Sequence, residues 1–164
     1  LLAFPSILLA IAIVAALGPS LPNVMIAVGV RSIPSFARLS RSMVLSIKEL
    51  EFVQGAHALG AGHPRVLFLH ILPNSVSPLL VFSSMQVATA ILLAAILSFL
   101  GLGVQPPTPE WGKMVSDGRS YLMEAPHVSL FPGRAIFVAV MGFNCLGDGL
   151  RDALDPRMGR VSIE

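Results

Sequence analysis

Three histidines, His57, His63 and His70, lie within a stretch that is otherwise mostly apolar and glycine-rich. Imidazoles could hold a metal ion or move a proton. Compact zinc sites, however, use histidines three to five residues apart on one helix face. Here the intervals are six and seven residues, so ordinary histidines are expected and no metal site. Three carboxylates, Glu110, Asp117 and Glu124, share a later polar stretch. Paired carboxylates can do acid–base work. Nothing in the pattern pins these three into a pocket, and solvated loop charges are the simpler reading. No Gly-x-Ser-x-Gly elbow presents a nucleophile. No Gly-x-x-x-x-Gly-Lys-Ser/Thr loop cradles a phosphate. The residues therefore offer no catalytic constellation and no means of binding or hydrolysing ATP. Neither an enzyme nor a bound cofactor is expected.

The elements that must carry these residues are dominated by apolar runs. The chain is 54% hydrophobic and 12% charged, with mean hydropathy +0.78. Soluble domains carry about 25% charged residues. From Ile71 to Gln105 no residue is formally charged, and a membrane span needs only ~20 apolar residues. The composition predicts an all-α, polytopic membrane protein with about four spans. They are expected near residues 1–17, 21–39, 76–100 and 130–146. The net charge of +2 is too small to argue for nucleic acid. The single Cys145 cannot form an intrachain disulfide. The chain opens Leu-Leu-Ala-Phe-Pro, without Met and already in an apolar run. It reads as the C-terminal part of a longer membrane domain.

Each span has recognisable punctuation. Gly18-Pro19 closes the first, and Pro5 belongs to its first turn or kinks it. The second contains Asn23, Arg31 and Pro34. An Arg at a span centre costs ~2.5–3.5 kcal/mol on insertion scales. Arg31 is therefore expected near a span end or facing a pore. Residues 42–59 show apolar positions spaced as in an amphipathic helix, halted by Gly60 and Gly62. Pro64 suits the start of a further helix. Gly101-Leu-Gly103 and the prolines from Pro106 to Pro109 close the third span, and Arg134 stands near the start of the fourth, where it can snorkel. Between them, about residues 102–129, lies a polar loop with Trp111 and Tyr121. A charged tail follows from Asp148.

The basic residues set an orientation. Arg41, Lys48, Arg65, Arg151, Arg157 and Arg160 fall on the side of the 40–75 loop and the tail, with Arg38 at its edge. Lys113 and Arg119 fall on the other, with Arg134 at its margin. The positive-inside rule then puts the 40–75 loop and the C-terminus in the cytoplasm. An ordered, partly polar loop between spans exceeds what a connector needs, and suggests a docking surface. Its plainer reading is an interfacial amphipathic helix. A helix-turn-helix reading fails, because the second helix, Val66-Leu-Phe-Leu-His-Ile-Leu, is nearly all apolar where a DNA reader needs basic residues.

The spacing of this loop resembles the cytoplasmic motif of ABC importer permeases: Glu-Ala-Ala, three residues, Gly, nine residues, Ile-x-Leu-Pro. Ala56, Gly60, Leu72 and Pro73 match it, while Gln54, Gly55 and His70 stand for Glu, Ala and Ile. Two further stretches resemble the dipeptide, oligopeptide and nickel permeases. They are Phe99-Leu-Gly-Leu-Gly-Val-Gln-Pro-Pro-Thr-Pro-Glu-Trp-Gly-Lys-Met and Asn144-Cys-Leu-Gly-Asp-Gly-Leu-Arg-Asp-Ala-Leu-Asp-Pro-Arg. Pro126-His127 stands where that group often has Pro-Trp. Together the three segments resemble the second, C-type permease of the group across essentially the whole chain.

The resemblance implies a type I permease core with two further spans before Leu1. It implies ATP-driven import of di- or oligopeptides, with nickel or glutathione as alternative cargo. The implied partners are a B-type permease, two ATP-binding subunits, an extracytoplasmic substrate-binding protein and the lipid bilayer of a bacterial inner membrane. It also implies that Glu51, Gln54, Gly55, Ala56, His57, Ala58, Leu59, Gly60, Ala61 and Gly62 form the coupling interface with the ATPase. A secondary transporter would instead place ionisable residues at mid-membrane. The third span offers Gln86, Thr89 and serines, but no acid or base. An intramembrane enzyme would need reactive groups at depth, and none is evident.

Overall fold

The computed structural model describes residues 5–154. Leu1 to Phe4 of the first expected span, and Arg157 and Arg160 of the tail, lie outside the described residues. Every regular element among the described residues is helical. The helices are α1 (Ser6–Leu17), α2 (Leu21–Ile47), α3 (Glu51–Ala58), α4 (His63–Val66), α5 (Leu72–Phe99), α6 (Trp111–Gly118) and α7 (His127–Leu154). A π turn, Leu67–Ile71, joins α4 to α5, and a short 3-10 turn, Arg119–Tyr121, follows α6. Two helices are long and apolar enough to cross a membrane: the continuous His63–Phe99 and α7. α1 is apolar but has only 12 residues, and α2 is diluted by Arg31, Arg38 and Arg41.

The helices depart from the expected elements in several places. α2 continues past Leu39 to Ile47. The amphipathic stretch expected over 42–59 is two helices, because the chain turns at Lys48–Leu50 before α3 begins. The apolar periodicity crosses that turn without marking it. α7 starts at His127 and carries Asp148, Arg151 and Asp152 of the expected tail within its last turns. The polar loop expected over about 102–129 is not a simple connector, since it contains α6. Pro5 takes the N-cap position of α1, where its missing N–H costs no hydrogen bond.

The chain forms two compact units. The first, among the described residues, comprises 5–34 and Met85–Cys145. Its core joins Ala10 and Val14 of α1, Val24 and Ala27 of α2, and Leu93 and Leu97 of α5. Asn23, polar in an apolar helix, donates from Nδ2 to the Leu17 and Gly18 carbonyls at 2.8 and 2.9 Å. It thereby satisfies the exposed end of α1. Glu110 caps α6 by accepting the Lys113 N–H at 2.6 Å. Gly112 brings α6 against α5 so closely that a Cβ there would overlap the Ala95 carbonyl and Cα. Ser116 Oγ donates to the Phe99 carbonyl at 2.9 Å, and the Arg119 guanidinium lies 5.9 Å from the Phe99 ring centre.

The second unit, among the described residues, comprises Ser35–Ser84 and 146–154. Its core is smaller: Ile47, Val53, Val66 and Ile71, with Val44, Ala56 and Ala61 against it. In the π turn the Leu72 N–H reaches back five residues to the Leu67 carbonyl. Pro73 supplies the physical cause. In a regular helix its ring would strike the Leu69 carbonyl, and a widened turn before it relieves that clash. Asn74 Nδ2 and Ser75 Oγ donate to the His70 and Ile71 carbonyls at 2.7 and 2.8 Å, so the disturbed turn keeps partners.

Candidate functional site

The expected docking residues all fall on α3 and the turn that ends it. Glu51 opens α3, where a negative charge complements the helix dipole. Val53 is fully buried in the small core of the second unit, and Ala56 leans on the same core. These two residues hold the inner face of α3. The outer face carries Phe52, 47% exposed, and Leu59, which ends the helix 91% exposed. Gln54 does not project freely: its Nε2 donates to the Glu49 carbonyl at 3.1 Å, bracing the turn before α3. Gly55, His57 and Ala58 are exposed.

Gly60 stops the helix by backbone geometry. Its φ of +85° lies in the left-handed region that favours glycine. The Gly60 N–H donates to the His57 carbonyl at 2.9 Å and the Ala61 N–H to the Ala56 carbonyl at 3.0 Å. That pair of bonds is a Schellman motif, and it satisfies carbonyls that the helix end leaves open. The usual apolar contact across such a motif is present too, since Ala56 and Ala61 both pack on the Val53 core. A Cβ at Gly60 would meet no atom of this chain within 4 Å. The turn, and not a close approach of the chain to itself, is what requires glycine. Gly62 then leads in extended backbone into α4, with Pro64 in its first turn.

A concavity of about 560 Å³ opens beside α3. Phe52, Gly55, Leu59 and Gly60 line one side, Arg65 and His70 the other. Gly55 keeps it open because no side chain fills that position. The surface is apolar at its helix side and cationic at Arg65. It can receive a protruding side chain from another protein.

The histidines do not assemble a metal centre. The rings of His57 and His63 approach edge to face with centroids 5.3 Å apart, while His70 lies against Phe52 at 6.3 Å. Among the described residues, no group of three His, Cys, Asp or Glu side chains could hold a metal. Of the three carboxylates in the 102–129 loop, Glu110 caps α6 and Asp117 pairs with Lys113. Glu124 is exposed. Sequence reasoning missed α6 itself. Its signals were present: an N-cap Glu110 and an i,i+4 pair between Lys113 and Asp117.

The sequence is similar to known proteins over nearly its whole length. Residues 1–160 match the profile of a family described as binding-protein-dependent transport system inner membrane component. A dipeptide transport system permease protein of Alkalihalophilus pseudofirmus is 58% identical over 158 residues, 96% of this chain and 52% of that protein. A glutathione transport system permease protein of Salmonella paratyphi A is 56% identical, and one of Escherichia coli O1:K1 is 55% identical, each with the same shares covered. The chain thus spans about half the length of the curated relatives it matches.

Proposed function

The chain belongs to the family of binding-protein-dependent transport system inner membrane components, and from that membership we propose that it is the permease part of an ATP-driven importer of small peptides. The chain conducts and transmits motion. ATP hydrolysis belongs to separate subunits. The printed names of the relatives, dipeptide and glutathione permeases, support peptide-like cargo. The assembly comprises a paired B-type permease, two ATP-binding subunits and an extracytoplasmic binding protein. The 40–75 loop and the C-terminus face the cytoplasm, as the excess of arginine and lysine on that side supports. About four spans cross the membrane, with α1 and α2 helped into it by neighbouring helices.

The observation that carries this reading is the split character of α3. Its inner face is clamped by Val53 and its end is fixed by Gly60, while Leu59 projects 91% exposed and Phe52, beside His70, keeps 47% of its surface uncovered. A rigid helix with an uncovered apolar face can transmit force to and from a partner. Residues Glu51 and Gln54 to Gly62 form that interface. Closing of the ATP-binding subunits displaces α3, and the displacement reaches the spans through α2 and the His63–Phe99 helix. The cargo path then opens alternately to each side.

The test is proximity. In the assembled transporter, with Cys145→Ser as background, Leu59→Cys should form a cross-link to the ATP-binding subunit with a short bifunctional thiol reagent. The yield should change when nucleotide is added. Transport-competent complexes that give no such cross-link would remove the coupling assignment.

A further inference from the structure

Arg31 is the cation that the apolar part of this chain does not explain. It sits ten residues into α2, which begins at Leu21. At 1.5 Å per residue it lies ~15 Å along the helix, half of a ~30 Å hydrocarbon layer. Its face of the helix is informative. Val24 and Ala27 are buried in the core of the first unit, and Arg31 follows them at the next helical interval. The stripe Val24, Ala27, Arg31 therefore faces protein. The opposite stripe, with Met25 at 65% and Ile33 at 58% exposed, is the apolar side suited to lipid. Arg31 is half-buried, and its Nε is buried without a hydrogen-bond partner. The ion pairs among the described residues are Lys48–Glu49 and Lys113–Asp117, so no described carboxylate answers it. Ionisable groups at such a depth mark the path of a solute or ion.

Resting on the peptide-importer reading, we propose that Arg31 is a cargo subsite, a fixed cation that receives the free carboxylate of a peptide passing through the permease. A guanidinium presents a planar fork of donors that matches a carboxylate with two parallel hydrogen bonds. A lipid phosphate is the poorer occupant, because the lipid-suited face of α2 is the opposite one. The subsite selects by charge and not by side chain, which suits a carrier of varied peptides.

The experiment uses the whole transporter at matched membrane abundance, with a Cys145→Ser background. Arg31→Gln should lower uptake of a free-acid dipeptide about tenfold or more, the value of one charge-assisted hydrogen bond, while Arg31→Lys retains most of it. Peptide-free ATPase activity should not change in either variant. Arg31→Cys should lose uptake, and recover it after reaction with an aminoethyl thiosulfonate that restores an ammonium, but not with the neutral methyl reagent. A variant whose abundance or peptide-free ATPase falls in step with uptake would reveal a structural ion pair with a partner subunit, and overturn the proposal. Undiminished uptake in Arg31→Gln, or rescue indifferent to reagent charge, would overturn it as well. A wild-type complex that imports no peptide overturns the peptide-importer reading and this inference together. Charge-indifferent variants in a working importer overturn the inference alone.

Discussion

Two glycines five residues apart can have opposite meanings, and Gly55 and Gly60 do. Gly60 is held at φ +85°, where a β-branched residue is a steric outlier. Gly60→Val should strain the turn by about 1–3 kcal/mol. Insertion and abundance should be normal while ATP hydrolysis no longer drives uptake, measured as transport per ATP in the full complex. Normal coupling in that variant would show that the turn geometry is dispensable. Gly55 has no such need, since it lies within α3 and a Cβ would meet nothing of this chain within 4 Å. Alanine is favoured over glycine by about 1 kcal/mol in a helix interior. Gly55→Ala should slow hydrogen exchange of the α3 amides roughly fivefold, the same energy expressed as an equilibrium. Unchanged exchange would mean that tertiary contacts, not propensity, set the stability of α3.

At the scale of elements, legibility followed local chemistry. The break at Gly60 and the start at Pro64 were readable because each depends on the backbone preference of one residue. The division of 42–59 into α2 and α3 was not, because Leu50 continues the apolar spacing through the turn. α6 was obscured for another reason: it is short, and its place is fixed by a distant glycine contact that no window of sequence contains. That contact is testable. Gly112→Val should push α6 off α5, since the added carbons would overlap Ala95 backbone that cannot swing aside. Trp111, the single tryptophan of the chain, begins α6 and should report the displacement as a shift in emission. Gly142→Val, where a Cβ would meet nothing within 4 Å, should leave the emission as it is. Equal spectra for wild type and Gly112→Val would show that α6 accommodates the side chain.

For the whole molecule, composition foretold a helical membrane protein, and the family match and the two long apolar helices agree. The residues proposed to dock are recognisable in the sequence only as a spacing; that they share one helix held by Val53, and the turn that ends it, is a property of the fold. Orientation remains a prediction. A cysteine at His57 should react with membrane-impermeant reagent from the cytoplasmic side and not from the outside, and the reverse pattern would invert the topology. The π turn has a consequence for how such chains can vary. Val66, Ile71 and Ser75 are buried at steps of five and then four residues. In an unbroken α-helix the step of five would miss the shared face by about 140°. The widened turn absorbs this difference, so the heading of the α3–α4 loop is a phase, fixed by an integer count of residues. Substitutions such as His70 for Ile leave that count alone. Loss or gain of a single residue between Leu67 and Ile71 would advance or retard the phase by about 100°. This short stretch can therefore drift in spelling but not in length, as a gear can change its metal but not its number of teeth.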